Sequence, residues 1–543
     1  MKIGYRLTAL LCCVLLISCV LCSCSKTDTT ATADTAKKTT VNTNVEIDEN
    51  NIESSIDISL ANRITLSDTK AQAENNCAKV DDAFVTIENS GVYLIEGNTS
   101  NGQIKVKTQD TDTVVLVLNG VNITNQSGCA IHIKKAEKAY IVPYNNTKNI
   151  LADTSNYEFD ADDTDGEPDA TIFSKADLII SGSGTLDIDA NYSSGIKGKD
   201  EVMLTSANVI LDTIDDGIKG RDSLTIKDSD ITVTAENSAI KTTNDEDGLG
   251  DMVLSGGNFN IECNTDAFNC KSNLTVESGT FKINAGDDAF HADSTLTING
   301  GNIQIDSCYE GLEGQQINIS DGNIHIVSSD DGLNSAGGND ASAFTGGRED
   351  PFASDMDAII KITGGHIYID SEGDGVDSNG TIEMSGGTVL VDGPESSGNG
   401  ALDYTSTFTC NGGLLIACGT SGMAQAVSHT STQYCIMANL SNLSGGTLFS
   451  ILDSNNTPLI TYSPSKSYSN IVVCSDKLKS GETYSVSTGG NCSDSCTDGL
   501  YNGTSYSSGT IQTTFTLNSI VTSNGGGMGG MGGRHNDHQK PFI

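Results

Sequence analysis

The stretch "IDDGIKGRDSLTI", residues 214–226, decides the fold. An acidic residue is followed by Gly, an apolar residue and a polar one. A few residues on, apolar and polar side chains alternate. Close variants stand to either side: "YSSGIKGKDEVML" (192–204), "GDDAFHADSTLTI" (286–298), "CYEGLEGQQINI" (308–319) and "SSDDGLNS" (328–335). The residue before the Gly or Ala falls at Ser194, Asp216, Ser238, Asp266, Asp288, Glu310, Asp331, Asp374 and Gly400, in steps of 22, 22, 28, 22, 22, 21, 43 and 26. The long steps coincide with insertions, "NDEDGLG" (244–250) and "AGGNDASAFTGGREDPFASD" (336–355). A recurring period of this length is the mark of a repeat architecture.

Each unit carries two alternating runs. Leu224/Ile226 precede Ile231/Val233, Leu274/Val276 precede Phe281/Ile283, and Ile382/Met384 precede Val389/Val391. Period-two alternation predicts strands with one buried face. Gly-Gly or Asp-Gly pairs at 256–257, 300–301, 321–322, 364–365 and 386–387 are expected to turn the chain between two strands. Three short strands per 22-residue unit predict an all-β, right-handed parallel β-helix. Ten such coils, about 4.8 Å apart, would span roughly 50 Å. Ile218, Ile240, Phe268, Phe290, Leu312, Leu333 and Val376 should form one internal column. A leucine-rich repeat fails for want of its LxxLxL pattern, and a β-propeller needs a longer period and usually Trp, which is absent here.

Stacked coils place equivalent side chains above one another. Asp266, Asp288, Glu310, Asp331 and Asp374 then make a carboxylate row, with Asp215–Asp216, Asp287–Asp288 and Asp330–Asp331 doubling it. Two carboxylates about 5 Å apart repel by roughly 3 kcal/mol at an effective dielectric near 20. A hard cation with loose oxygen coordination removes that repulsion, so Ca2+ is expected along this edge. Turn chemistry alone accounts for one Asp per coil and less well for two. The next column runs Lys197, Lys219, Lys241, Asn269, His291, Glu313, Asn334, Asp377 and Asp403, from basic to acidic. Its lysines either meet sugar carboxylates or neutralise Asp215 and Asp216. His291 reads as a hydrogen-bonding turn residue. The acidic segment 145–170 contains "DADDTDGEPD", which lacks EF-hand phasing but could lend Asp163 or Asp165 to a site.

The chain of 543 residues has a formal net charge of −41. Such a surface excludes a nucleic-acid backbone as partner and favours cations or cation-bridged anions. Lys2 and Arg6 precede an apolar run to Leu21, a secretory leader. "LLISC" and "VLCSC" resemble a lipobox. The lipidated residue is expected at Cys24, with Cys19 or an ordinary cleaved leader as alternatives. The expected organisation is leader 1–24, disordered tether 25–55, β-helix 56–424, β cap 425–520 and Gly-rich tail 521–543. Cys492 and Cys496 are the best-spaced disulfide pair.

"VVLVLNGVNITNQSGCAIHIK" (114–134), "ATIFSKADLIISGSGTLDIDANYSSGIKGKD" (170–200), "DDGIKGRDSLTI" and "YSPSKSYSNIVVCSDKLKSGETYSVSTGG" (462–490) resemble a family of secreted bacterial carbohydrate-binding β-helix proteins. Its described clostridial member binds cellulose and polygalacturonate. The resemblance covers roughly residues 60–520. It implies a pectate-lyase-like fold, Ca2+ held by the Asp pairs of the DDG turns, and binding without established catalysis. Ser194, Ser238 and Gly400 lack the carboxylate, so calcium should not line every coil. The resulting expectation is a monomeric, lipid-anchored surface protein that binds acidic polysaccharide. Lys197, Lys219, Lys241 and Tyr309 are the candidate sugar contacts, and Tyr192 and Tyr368 are possible stacking rings. A calcium-dependent polysaccharide lyase using Lys219 or Arg221 as base is the alternative. A structural surface adhesin is the third reading.

Overall fold

The computed structural model describes residues 47, 52–161, 163, 166–335 and 357–525. The leader with Cys24 and Cys19, most of the tether, Asp165, the insertion after Ser335 and the tail from residue 526 lie outside the described residues.

Each coil contributes three strands. In the coil opened by Asp216 these are Ile218–Gly220, Ser223–Lys227 and Asp230–Ala235. Each pairs in parallel with its equivalent in the next coil, Ile218 on Ile240, Leu224 on Met252 and Ile231 on Phe259. The first-strand stack runs unbroken from Phe84–Ile87 to Leu402–Tyr404, which makes a parallel β-helix of about 13 turns. Ten coils are expected from the acidic motif alone. The further coils lie before Ser194, where strands at Phe84–Ile87, Gln103–Lys107, Ile131–Lys135 and Ala170–Ser174 stack, the middle two with no acid at the turn and the outer two preceded by Asp81–Asp82 and Asp169. The 43-residue step is one coil carrying an insertion, since Leu333 pairs directly with Val376.

The alternating residues do what their period predicts. Ile218, Ile240, Phe268, Phe290, Leu312, Leu333 and Val376 are all buried in one internal column. Phe268 stacks on Phe290 at 4.8 Å between ring centroids, and Phe259 on Phe281 at 4.6 Å. The two stacks meet edge to face, Phe268 against Phe281 at 5.8 Å. The small residue of the motif marks the point where the chain turns inward. A Cβ on Gly217 would lie 2.4 Å from the Ala239 carbonyl oxygen of the coil above. The Gly-Gly corner at 256–257 does not separate two strands as expected. It bends one continuous strand, Asp251–Cys263, through positive φ values of 82° and 84°.

Both ends of the solenoid are covered. Helix Ile52–Ser55 buries Ile52 against Leu94, Val115 and Tyr140, so the packed chain begins inside the segment expected as tether. Glu53 accepts the Asn145 and Ser183 backbone N–H groups at 2.6 and 3.1 Å. At the other end, strand Tyr468–Ser475 pairs antiparallel with Thr407–Gly419 and with Cys435–Leu443. This closes the open sheet edge. A second, six-stranded sheet lies between Phe449 and Thr516. It packs on an outward-facing column that changes character along the helix: Thr232, Asn260, Lys282, Gln304 and His325, then Tyr368, Leu390 and Ile416. Val521–Ser523, expected as tail, adds a parallel strand beside Cys435–Met437. Cys492 and Cys496 are separate free thiols.

Phe268→Ala should destabilise the protein by about 3–5 kcal/mol, because it opens a cavity between two fixed aromatic stacks. Urea or thermal unfolding of the variant measures this. A loss under 1 kcal/mol would show that the coils slide to refill the space.

Candidate functional site

The acidic motif builds a two-column edge. In the earlier acidic coils the second acid, the one before Gly or Ala, turns inward, whereas Asp331 and Asp374 stay half-buried. Asp216, Asp266, Asp288 and Glu310 are buried at 1, 4, 1 and 2 % exposure, whereas Asp215 and Asp287 are half-buried. Two hydrogen bonds hold this residue to the neighbouring coil. Its carbonyl accepts the N–H of a Gly or Ala: Gly195 to Asp216, Ala239 to Asp266, Ala267 to Asp288, Ala289 to Glu310, Gly311 to Asp331 and Gly332 to Asp374. Its Oδ1 accepts the N–H of its own equivalent one coil on. Asp216 binds Ser238 at 3.2 Å, Asp266 binds Asp288 at 3.3 Å, and Asp331 binds Asp374 at 2.6 Å. Asp288 breaks the pattern, and its buried Oδ1 has no partner.

On Asp216, Asp266 and Asp288 the remaining oxygen, Oδ2, faces the residue three positions on, whereas Glu310 is met by Asn334 of the next coil. The Lys197-to-Asp403 column is in register throughout. Its chemistry settles the charge differently in each coil. Lys219 forms an ion pair with Asp216. Asn269 Nδ2 donates to Asp266, and Asn334 Nδ2 donates to Glu310 Oε2 at 2.7 Å. His291 lies between Asp288, Glu313 and Asp293. At the C-terminal end Asp331, Asp374 and Asp377 converge. Their ligand oxygens lie within 4.8 Å of one another, and no ion pair to a basic side chain is made by any of the three among the described residues. Asp266, Asp287 and Asp288 form a second cluster of this kind.

Burial followed by neighbouring charge sets the proton affinities. Burial and then Asp377, Glu310 and Asp374 push Asp331 well above the usual carboxylate range. Burial and then Asp374 and Asp403 do the same to Asp377. Asp374 rises to about 7, chiefly through burial, partly offset by the Gly400 N–H. Burial also raises Glu310 and Asp288, helped in both by Glu313. For Glu313 burial is outweighed by the hydrogen bond from His291, which leaves it below its ordinary value. The donor set fits a hard cation. It consists of carboxylates in oxygen-only groups, and Asn269 and Asn334 beside them each keep a buried oxygen without a partner.

The other sequence candidates separate. Lys197 is tied to Asp169 at 2.8 Å and Glu167 at 3.2 Å, so it neutralises the preceding loop. Burial lowers the proton affinity of Lys219, but Asp216 more than restores it, and the ammonium is held. Lys241 is half-buried and makes no hydrogen bond or ion pair among the described residues. Arg221 pairs with Asp222 at 2.9 Å and Glu246 at 3.8 Å. Tyr309 is half-buried, with its phenol pKa raised first by the hydrogen bond to Asp330. Tyr192 stacks on Tyr157 at 3.9 Å. Tyr368 is buried beneath the C-terminal sheet, where its hydroxyl donates to Asp392 at 3.1 Å, so it is no exposed ring. Asp163 pairs with Lys134 at 2.7 Å and joins no acidic cluster. The ligand candidates missed from sequence are Glu313 and Asp377. Their shared register with His291 and Asn334 was the available signal.

The fold and this edge define a β-solenoid with an in-register row of buried acids. The chain belongs to the family described as carbohydrate-binding domain-containing protein, which it matches over residues 81–332 and 288–514. A carbohydrate-binding domain-containing protein of Acetivibrio thermocellus is 36% identical over 148 residues, which are 27% of this chain and 51% of that relative. The chain thus spans about half the length of the curated relative it matches. A solved structure, described as the polysaccharide lyase-like protein from C. thermocellum in a gadolinium derivative, is 31% identical. The match covers 48% of this chain and 97% of that one, with a TM-score of 0.38.

Asp374 gives the pH dependence its sign. Its value in the folded protein, about 7, exceeds the ordinary 3.8. The cation-free fold therefore holds this proton more tightly than the unfolded chain. Its contribution to stability should fall as pH rises from about 4 to about 7 and then level off. Thermal melts in chelator should show that decline, and millimolar Ca2+ should remove it. Asp374→Asn should make the chelator curve shallower. A chelator curve that rises over this range would contradict the assignment.

Proposed function

We propose that the protein binds acidic polysaccharide of the polygalacturonate type, through Ca2+ held on the acidic edge of the β-helix. The observation that carries this reading is the convergence of Asp331, Asp374 and Asp377 without a neutralising side chain among the described residues. Ca2+ satisfied in part by these oxygens would keep coordination positions for a uronate carboxylate. The ion thereby lets a protein of net charge −41 hold an acidic glycan. Lys241, with no internal partner, is the cation of its column best placed for a second uronate. Coils repeat about every 4.8 Å, so a glycan laid along the edge meets a new coil at nearly every sugar. Family membership supports carbohydrate as the ligand class. Cellulose would call for open aromatic faces, and the site offers few, since Tyr368 is covered and Tyr192 is stacked on Tyr157.

Binding rather than β-elimination is favoured by the state of the candidate bases. A base must be free of its proton. Lys219 is held as an ammonium by Asp216, and Arg221 is ion-paired with Asp222. The basic and apolar leader ending at Cys24 supports export and lipid anchoring at the cell surface.

Calorimetric titration of the chain with Ca2+, then with polygalacturonate with and without the ion, tests the proposal. Glycan binding should require Ca2+. It should weaken by about tenfold or more in Asp377→Asn and by a smaller factor in Lys241→Ala, where tenfold is about 1.4 kcal/mol. Calcium uptake without glycan binding would leave a structural adhesin. Release of unsaturated uronide, read by absorbance, would replace binding with lyase chemistry.

A further inference from the structure

We propose that Asp288, His291 and Glu313 form a buried site for a borderline divalent ion of the zinc type, distinct from the oxygen-only clusters proposed for calcium. The proposal stands on different residues from the calcium-bridging argument, apart from Asp288, and does not depend on it.

The three side chains come from two adjacent coils. Asp288 and His291 belong to one, and Glu313 is the in-register partner of His291 on the next. All are buried, at 1, 0 and 2 % exposure. His291 Nδ1 lies 3.4 Å from Asp288 Oδ2 and directly against Glu313 Oε2. One ligand atom from each residue falls within 4.8 Å of the other two. Bonds of about 2.0–2.2 Å from zinc to imidazole and carboxylate suit a group of that size.

Three further observations point to an ion. Behind the ring, Asp293 Oδ1 lies 2.9 Å from Nε2. A carboxylate in that place accepts a hydrogen bond from Nε2–H and leaves the bare Nδ1 lone pair facing Asp288 and Glu313, the usual support of a metal-bound histidine. Asp288 Oδ1 is buried without a partner, although its equivalents on Asp216, Asp266 and Asp331 each accept a backbone N–H. Charge balance agrees. Asp293 is already paired with Lys271 at 3.0 Å. When ionised, the two ligand carboxylates are neutralised by a divalent ion with a neutral imidazole.

The ligand chemistry selects the ion. Ca2+ takes oxygen donors, and imidazole favours Zn2+ and its transition-metal neighbours. Buried on every side, the ion would act as a staple between two coils rather than as a catalyst.

The test uses the full chain, stripped with chelator, saturated with Ca2+ and then dialysed against micromolar Zn2+ or Co2+. Tail residues His535 and His538 are replaced by Asn in a parallel control, so that uptake by the tail is subtracted. The expected result is one Zn2+ per chain retained against excess Ca2+, and a visible Co2+ spectrum. Both should be lost in His291→Gln and weakened at least about tenfold in Glu313→Gln, with circular dichroism unchanged in at least one variant. Absence of retained Zn2+ and Co2+ in the parent chain would overturn the proposal and make His291 an imidazolium among acids. Undiminished uptake in both variants would overturn it as well. Calcium content is read in the same dialysis. Loss of Ca2+ uptake with Zn2+ retained would count against the calcium reading alone.

Discussion

The parallel backbone ladder is the constraint on which everything else depends. Because each strand pairs in register with its equivalent one coil on, every side chain sits on its own kind about 4.8 Å away. Inside, that suits apolar groups. Phe268 lies flat on Phe290, Phe259 on Phe281, and the branched aliphatics fill the remaining columns. On the acidic edge the same rule stacks like charges. The fold tolerates this only if each coil supplies a local answer.

Those answers differ along the helix and divide it. In the early coils lysines are spent internally, Lys197 on Asp169 and Lys219 on Asp216. In the middle, amides and His291 take over. In the late coils no counter-charge is built in among the described residues, and Asp331, Asp374 and Asp377 hold their protons unusually well because loss of solvent and one another's charge oppose ionisation. A charge deficit that grows toward one end places the cation-requiring part of the edge in the later coils. The outward column of the third strand shows a parallel change from polar to apolar, and the C-terminal sheet settles where it turns apolar.

Much of this was legible in the chain. The 22-residue step fixed the repeat, and the period-two runs fixed the strands and the inner column. The two polar columns follow from the same spacing. Less legible were coils without the acidic motif. Segments such as Gln103–Lys107 and Ile131–Lys135 carry the same inward alternation but no punctuation to count by. Tyr368 read as an exposed ring, since nothing local to it announces the sheet formed a hundred residues later. Lys197 read as a sugar contact, because its acids arrive from the preceding loop.

The sequence by itself determined the fold class, the columns and the acidic edge, since all three follow from residue spacing under a fixed ladder. Only the tertiary structure decided which acid of each pair is buried in the earlier coils, that this acid faces the residue three positions on, and that Asp288 Oδ1 is left without a partner. These depend on the angle at which the chain turns inward after each acid and on contacts between coils 22 residues or more apart. Such contacts are set by packing, and no local pattern in the chain encodes them.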